Sequence, residues 1–307
     1  MKGYAGRFVL IHREVSRKSM LGIALALLSA AVSGLSVVLV GKHNKKSNVL
    51  NISIVITAVG LIVLLPLAVI ANEFSMVNLI GFALFALGGL LSPALVRLLY
   101  YGGLKKLGTA VNSSIFAVYP IYSLLLAVLL LGETPTLANW IGVFVVVIGV
   151  ILVEMTSCDP NGGKIRSLRN LIFPILGGLA FGVSVILRKY ALNLCNTPVF
   201  GVTVAYTFSL IPFAVILLYQ KPNREGRSLK QDLRLFWIAG VGQAIAWVLS
   251  FYALSIESAA LVATILSIEP IFVVLLAWLY LGSSERLCVK LIASILVTVL
   301  GTILVIL

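Results

Sequence analysis

The chain is 307 residues long, 61% hydrophobic and 11% charged, with a mean hydropathy of +1.13. That balance excludes a soluble globular domain and indicates a polytopic membrane protein. The formal charge of +13 does not point to nucleic acid, because the lysines and arginines fall in short stretches between apolar runs and so bear on membrane orientation.

An apolar helix of about 20 residues crosses the hydrocarbon core of a bilayer. Ten such spans can be drawn, roughly 20–41, 49–71, 77–100, 109–131, 137–155, 171–191, 198–219, 234–254, 259–281 and 287–307. Backbone facing lipid must close its own hydrogen bonds, so these are expected to be helices. A barrel would show short alternating segments instead. The basic segment 1–19 is read as a leader before a retained first helix, since the apolar run is too long for a secretory signal and lacks a small-residue cleavage site. Cys158, Cys195 and Cys288 are scattered, and His12 and His43 flank apolar runs. They form neither a disulfide framework nor a metal spacing, and no cofactor is expected.

The chain echoes itself at half its length. Residues 112–133, NSSIFAVYPIYSLLLAVLLLGE, and residues 262–282, VATILSIEPIFVVLLAWLYLG, share a proline inside an apolar run that closes on Leu-Gly. Pro120 and Pro270 stand 150 positions apart, as do Gly132 and Gly282. Gly34-Leu-Ser-Val-Val-Leu39 matches Gly182-Val-Ser-Val-Ile-Leu187, and Leu65-Pro-Leu-Ala-Val-Ile70 matches Ile211-Pro-Phe-Ala-Val-Ile216. Anchors in one order with drifting offsets indicate a duplicated unit, 20–155 and 171–307, joined by a loop at 156–170. Five spans per unit is an odd number, so the second copy enters the membrane in the opposite sense. That inverted repeat is a recurring architecture of secondary transporters, with the substrate site near the midplane.

In chain order, helix 1 carries Ser29, Ser33 and Ser36 on one face, as close packing in a membrane favours. Pro66 and Pro212 are expected to kink helices 2 and 7. Helix 3 places Pro93, Arg97 and Tyr100 on one face, with Gln243, Trp247 and Ser250 as their repeat counterparts in helix 8, and polar and aromatic groups at matching heights in both copies suggest a shared cavity. Arg97 lies about one turn inside its expected helix end, where snorkelling to the interface competes with a site role. The same reasoning reads Arg188, four residues beyond Ser184, and Lys189 as snorkelling. Helix 4 aligns Asn112, Phe116, Tyr119 and Ser123. Tyr119 corresponds to Glu269, each directly before its proline, and Pro120 and Pro270 are the expected kinks. Glu269 is the carboxylate nearest the middle of a span, costly there if ionised and therefore a candidate for proton coupling or cation binding. Helices 5 and 10 are featureless apart from Gly142, Gly149 and Gly301 and read as peripheral packing elements. Residues 220–233 read as a solvated polar loop.

The side following helices 1, 3, 5, 7 and 9 holds 16 lysines and arginines against 7 on the other. The positive-inside rule then favours both termini outside, whereas the basic leader argues the other way.

The proline-broken fourth helix ending in Leu131-Gly132-Glu133, followed by Trp140-Ile-Gly142 and Ile148-Gly149-Val150, resembles the EamA domains of the drug/metabolite transporter superfamily. Glu269-Pro270 and Gly301 carry the resemblance into the second copy. The sequence departs from the pattern at Leu281-Gly-Ser-Ser-Glu285, where two residues separate glycine from glutamate. The resemblance implies an all-α membrane protein of ten helices, with helices 1–4 and 6–9 around a cavity, alternating access between halves, and both termini in the cytoplasm.

The expected function is a secondary transporter exporting a small polar or amphipathic metabolite across the cell membrane, possible solute classes being amino acids, related compounds or drug-like molecules. Arg97, Asn112, Tyr119, Ser184, Gln243 and Trp247 are the expected substrate-binding residues, and Glu269 the proton-coupling one. An exchanger without a proton is the close variant. The expected partners are the small-molecule substrate and the lipid bilayer, with the chain as a monomer or homodimer. No G-x-x-x-x-G-K-[ST] loop is present to bind ATP. An embedded enzyme would need converging acid, base or nucleophile groups that the spans do not offer. A membrane sensor would not require polar faces at matching heights in both copies.

Overall fold

The computed structural model describes residues 2–43, 47–107, 112, 115–116, 118–156, 168–219, 227–281 and 289–306. Among the described residues the regular structure is helical, with no strand. Among the described residues, six helical segments are long and apolar enough to cross a membrane: Ser19–Gly41, Val49–Ala71, Leu79–Tyr100, Arg169–Leu194, Pro198–Tyr219 and Leu229–Ile256. Shorter apolar helices cover Tyr119–Leu131, Leu137–Leu152, Ala259–Val273 and Ala293–Ile306.

Helix α1 runs Lys2–His43, so the backbone of the basic leader continues the first apolar helix. Helix α2, Val49–Ala71, starts on Asn48, whose side chain accepts from Leu50 N at 3.2 Å, and stays continuous through Pro66. Helix α3, Leu79–Gly89, starts on Asn78, whose Oδ1 accepts from Gly81 N at 2.6 Å. It passes into a π-helical turn, Leu90–Leu95, where Ser92 leaves helical geometry (φ −143, ψ 123) just before Pro93. Proline has no N–H and its ring crowds the preceding turn, so the helix breaks there. Helix α4 resumes at Val96 and runs to Leu107. The span expected at 77–100 is therefore two helices, the second of which outruns it.

Helix α5, Tyr119–Leu126, ends in a second π turn, Ala127–Leu131. Helices α6, Leu137–Thr156, α7, Ile172–Leu194, and α8, Pro198–Tyr219, follow. Helix α8 also continues through its proline, Pro212. Helix α9, Leu229–Ile256, begins earlier than expected because Ser228 and Gln231 form a capping box. Part of the stretch read as a polar loop is thus the first turn of a helix. Helices α10, Ala259–Leu266, α11, Glu269–Leu281, and α12, Val289–Ile306, close the chain.

Helix α1 lies against α9 and α11, α3 against α7 and α8, α2 against α8 and α9, and α5 against α7. Their shared core holds Phe85, Val202, Ala205, Tyr206, Phe251 and Leu254. Gly89 meets the backbone of Ala205 so closely that any Cβ would collide. Helices α6 and α12 pair with each other, Gly142 against Gly301 O and Val305, and Gly149 against Thr298. Small residues let membrane helices approach this way and gain dispersion contacts. Large apolar side chains such as Ile62, Ile70, Leu79, Leu129, Leu218 and Leu300 point outward, as a lipid-facing surface requires.

Candidate functional site

Two helices start at their prolines. Tyr119 and Glu269 are the first residues of α5 and α11, and Pro120 and Pro270 the second. A proline there loses nothing, because the first N–H groups of a helix have no partner within it. The chain crosses each break in the same way. Ile121 N donates to Val118 O at 3.0 Å, and Ile271 N to Ile268 O at 2.9 Å. Helix α10 ends at Leu266, and Ser267 N donates back to Ala263 O at 3.1 Å. The expected kinks are thus complete interruptions, and Glu269 stands in the first turn of a helix, where the helix dipole suits an acidic side chain.

Gly34 brings α1 onto this break. A Cβ on Gly34 would lie 3.0 Å from Phe272 Cβ and 3.4 Å from Glu269 O. The neighbouring Ser33 hydroxyl lies beside the Glu269 side chain. Gln243 Nε2 of α9 donates to Ser33 Oγ at 3.0 Å, and Ser29 Oγ donates to Ala246 O at 2.6 Å. Tyr119 is close enough to Glu269 for the two to interact electrostatically. A polar chain therefore runs Gln243, Ser33, Glu269 and on to Tyr119.

A second group centres on Arg188, which is only 1% exposed. Its guanidinium donates to Ser92 O at 3.2 Å and to Ser184 Oγ. Ser184 Oγ in turn donates to Gly88 O at 2.9 Å. The interruption at Ser92-Pro93 thus leaves carbonyls that α7 supplies with donors. The Arg188 guanidinium also stacks over Trp247 at 4.2 Å, with Phe251 at 5.5 Å and Phe181 at 5.7 Å. Arg97 donates to Thr57 Oγ1 and lies 5.8 Å from the Tyr206 ring centre. Tyr206 meets Trp247 edge to face at 5.5 Å. Rings continue through Tyr119 and Phe181 at 4.6 Å, Phe116 and Tyr119 at 5.5 Å, and Tyr100 and Phe116 at 5.0 Å.

Arg97, Tyr119, Ser184, Gln243, Trp247 and Glu269 therefore fall in or beside one aromatic and polar assembly. Asn112 does not join it directly. It is fully buried and donates through Nδ2 to Tyr100 O at 3.1 Å. The snorkelling expected of Arg188 is overturned, because α7 runs on to Leu194 and carries the residue inward among aromatics. Lys189 reaches the other way, donating to Leu254 O and Glu257 O at 2.8 Å each, at the end of α9. Arg97 is the second residue of α4, directly after the break, rather than one turn inside a C-terminal helix end. Arg188 and Tyr206 are the site residues the sequence reading passed over. The one sequence signal for Arg188 was its place on the same face as Ser184. Glu285, Cys158 and Cys288 lie outside the described residues. Among the described residues no three His, Cys, Asp or Glu side chains gather as a metal site.

Two glutamates outside the spans tie helices at one end of the assembly. Gly132, in the left-handed region at φ +67, turns the chain so that Glu133 accepts from Ala259 N at 2.8 Å and Ala260 N at 3.5 Å. The Leu-Gly-Glu motif is thus a cap for the distant helix α10. Glu73 accepts from Phe200 N at 2.8 Å at the start of α8. Burial pushes the Glu73 carboxyl above its ordinary range, and the backbone bonds from Phe200 and Val199 pull the other way.

A match to the EamA-like transporter family covers residues 20–155 and 168–307. A Clostridium kluyveri protein described as an "Uncharacterized transporter" is 22% identical over 256 residues, which are 82% of this chain and 81% of that protein. A solved crystal structure, 14% identical, superposes with a TM-score of 0.71 over 94% of this chain and 96% of its own, which shows a shared fold. With the family matched over most of its length and apolar helices throughout, the chain is a multi-pass integral membrane protein that belongs to the EamA-like transporter family.

Proposed function

We propose that the protein is a secondary transporter of the cell membrane that exports a small polar or amphipathic metabolite by alternating access, with Glu269 coupling transport to protons. The observation that carries this reading is the place of Glu269: an acidic side chain at an interrupted helix, linked through Ser33 to Gln243 and facing Tyr119. An acid inside a membrane protein is expensive to keep and marks an ion or substrate pathway. Interrupted helices at the midplane are the common site architecture of secondary transporters.

The proposal includes ten helices arranged as two inverted five-helix repeats. It is supported by paired geometry. A Cβ on Gly34 would lie 3.0 Å from Phe272 Cβ, as a Cβ on Gly182 would from Tyr122 Cβ. The same backbone bond bridges Val118 to Ile121 and Ile268 to Ile271. Substrate would bind among Arg97, Tyr119, Ser184, Gln243 and Trp247, with access alternating as one set of helices rocks against the other.

Counterflow in proteoliposomes tests the reading, with labelled amino acids, organic acids, sugar conjugates and organic cations presented separately to wild type and Glu269→Gln. Wild type is expected to exchange one class. Glu269→Gln is expected to keep exchange and lose its response to an imposed pH gradient. Loss of both would make Glu269 a substrate ligand instead, and an unchanged pH response would favour an uncoupled exchanger. No movement of any class would overturn the transporter reading.

A further inference from the structure

We infer that Arg188 and Arg97 form an oxyanion site, which holds the carboxylate or phosphate of a small organic anion against the aromatic wall of Trp247, Tyr206 and Phe181. The inference rests on the transporter reading only in making that anion the transported solute.

The argument begins with charge. Arg188 is buried, its guanidinium is a cation at neutral pH, and no carboxylate lies beside it among the described residues. Every carboxylate with a described side chain is engaged elsewhere. Glu73 caps α8, Glu133 caps α10, Asp232 takes a hydrogen bond from Ser47 at 2.6 Å, Glu257 acts on Lys189, and Glu269 lies beside Ser33. A buried cation without a counter-ion is costly, and stacking on Trp247 offsets only part of that cost.

Geometry then gives the site its shape. Arg188 spends one terminal nitrogen on Ser92 O and Ser184 Oγ, and its Nε has no partner. Arg97 lies half-buried 5.8 Å from the Tyr206 ring centre, with Thr57 Oγ1 as its hydrogen-bond acceptor, and Tyr206 packs on Trp247, over which Arg188 stacks. Both arginines act electrostatically on Tyr206. Two guanidinium groups around one phenol, with no described carboxylate between them, form a positive centre. The planar fork of arginine suits a two-oxygen anion. The rings around it suit a flat or apolar body, so the oxyanion group of an organic acid fits the site best, while a bare oxyanion still meets the same guanidinium groups.

The test is thermal unfolding of the purified full-length protein in detergent at constant ionic strength, with benzoate, its neutral analogue benzamide, or inorganic phosphate. Benzoate or phosphate is expected to raise the melting temperature by several degrees, and benzamide not to. The larger of the two anion shifts would tell carboxylate from phosphate chemistry. Arg188→Gln is expected to abolish the shift and Arg188→Lys to keep a smaller one. Should Arg188→Gln fail to fold, Arg97→Gln, at a half-buried position, is expected to weaken anion binding about tenfold. Equal shifts by benzoate and benzamide, no anion-dependent shift in wild type, or undiminished shifts in the arginine variants would overturn the site. Counterflow separates the two readings. An anion shift in a protein that moves no solute keeps the site and removes the transporter reading. Exchange of neutral or cationic solutes with no anion shift does the reverse.

Discussion

Gly34 packs tightly against Phe272: a Cβ on the glycine would fall 3.0 Å from the Phe272 Cβ and 3.3 Å from Val273 N, inside ordinary van der Waals contact. This contact sets Ser33 on Glu269. A valine at Gly34 must push α1 off α11, since neither a Cβ nor backbone can swing away. Gly34→Val is expected to lower transport roughly tenfold or more while the protein still inserts. Gly41→Val, at a position with nothing within 4 Å, should transport like wild type. Counterflow on the two variants side by side checks this.

Ser184 holds two groups at once, giving a proton to Gly88 O and accepting one from Arg188. Ser184→Ala leaves a buried carbonyl and a buried guanidinium N–H each short of a partner. A loss of about 1–3 kcal/mol is expected from such orphaned groups, read as a lower melting temperature in detergent. Ser36→Ala is the control, because its hydroxyl only bonds back to Val32 O within α1.

Glu133 and Gly132 act together on α10. Glu133→Ala should cost about 0.5–2 kcal/mol, as loss of a helix cap does. Gly132→Ala should cost about 1–2 kcal/mol, because an alanine resists the left-handed conformation. The double variant should be less than additive, since both changes release the same cap. Melting temperatures of the three variants decide the matter.

Glu73 predicts a pH dependence. Its carboxyl is held above the ordinary carboxylate range chiefly by burial, so the folded protein binds this proton more tightly than the unfolded chain. Stability from this group is therefore greatest below the unfolded value and falls as pH rises through the folded one. Glu73→Gln, which keeps an acceptor for Phe200 N, should flatten the fall in melting temperature as pH rises above the ordinary carboxylate range. An unchanged profile would show that Glu73 does not titrate there.

Local chemistry explains why much of the fold was legible. Apolar length is a property of a short stretch, and α2 and α8 occupy the ranges drawn for them because a span must match the bilayer. Proline acts on its own backbone, so Pro120 and Pro270 marked interruptions, whereas the break at Pro93 was not read from the sequence. The severity was not local. Pro66 and Pro212 sit in continuous helices, and nothing in their own sequence separates them from the prolines that break the chain.

What the sequence by itself determined was a helical membrane chain, its internal echo, and the placing of one glutamate before a proline deep in an apolar run. These follow from hydrophobicity, proline geometry and spacing, which each segment carries with it. Only the tertiary structure decided that Arg188 is buried rather than snorkelling, that Arg97 follows a helix break, and that Glu133 caps a helix whose first N–H belongs to Ala259. Whether a long basic side chain meets lipid headgroups or aromatic rings depends on where its helix ends and which helices surround it. Contacts between residues far apart in the chain set both.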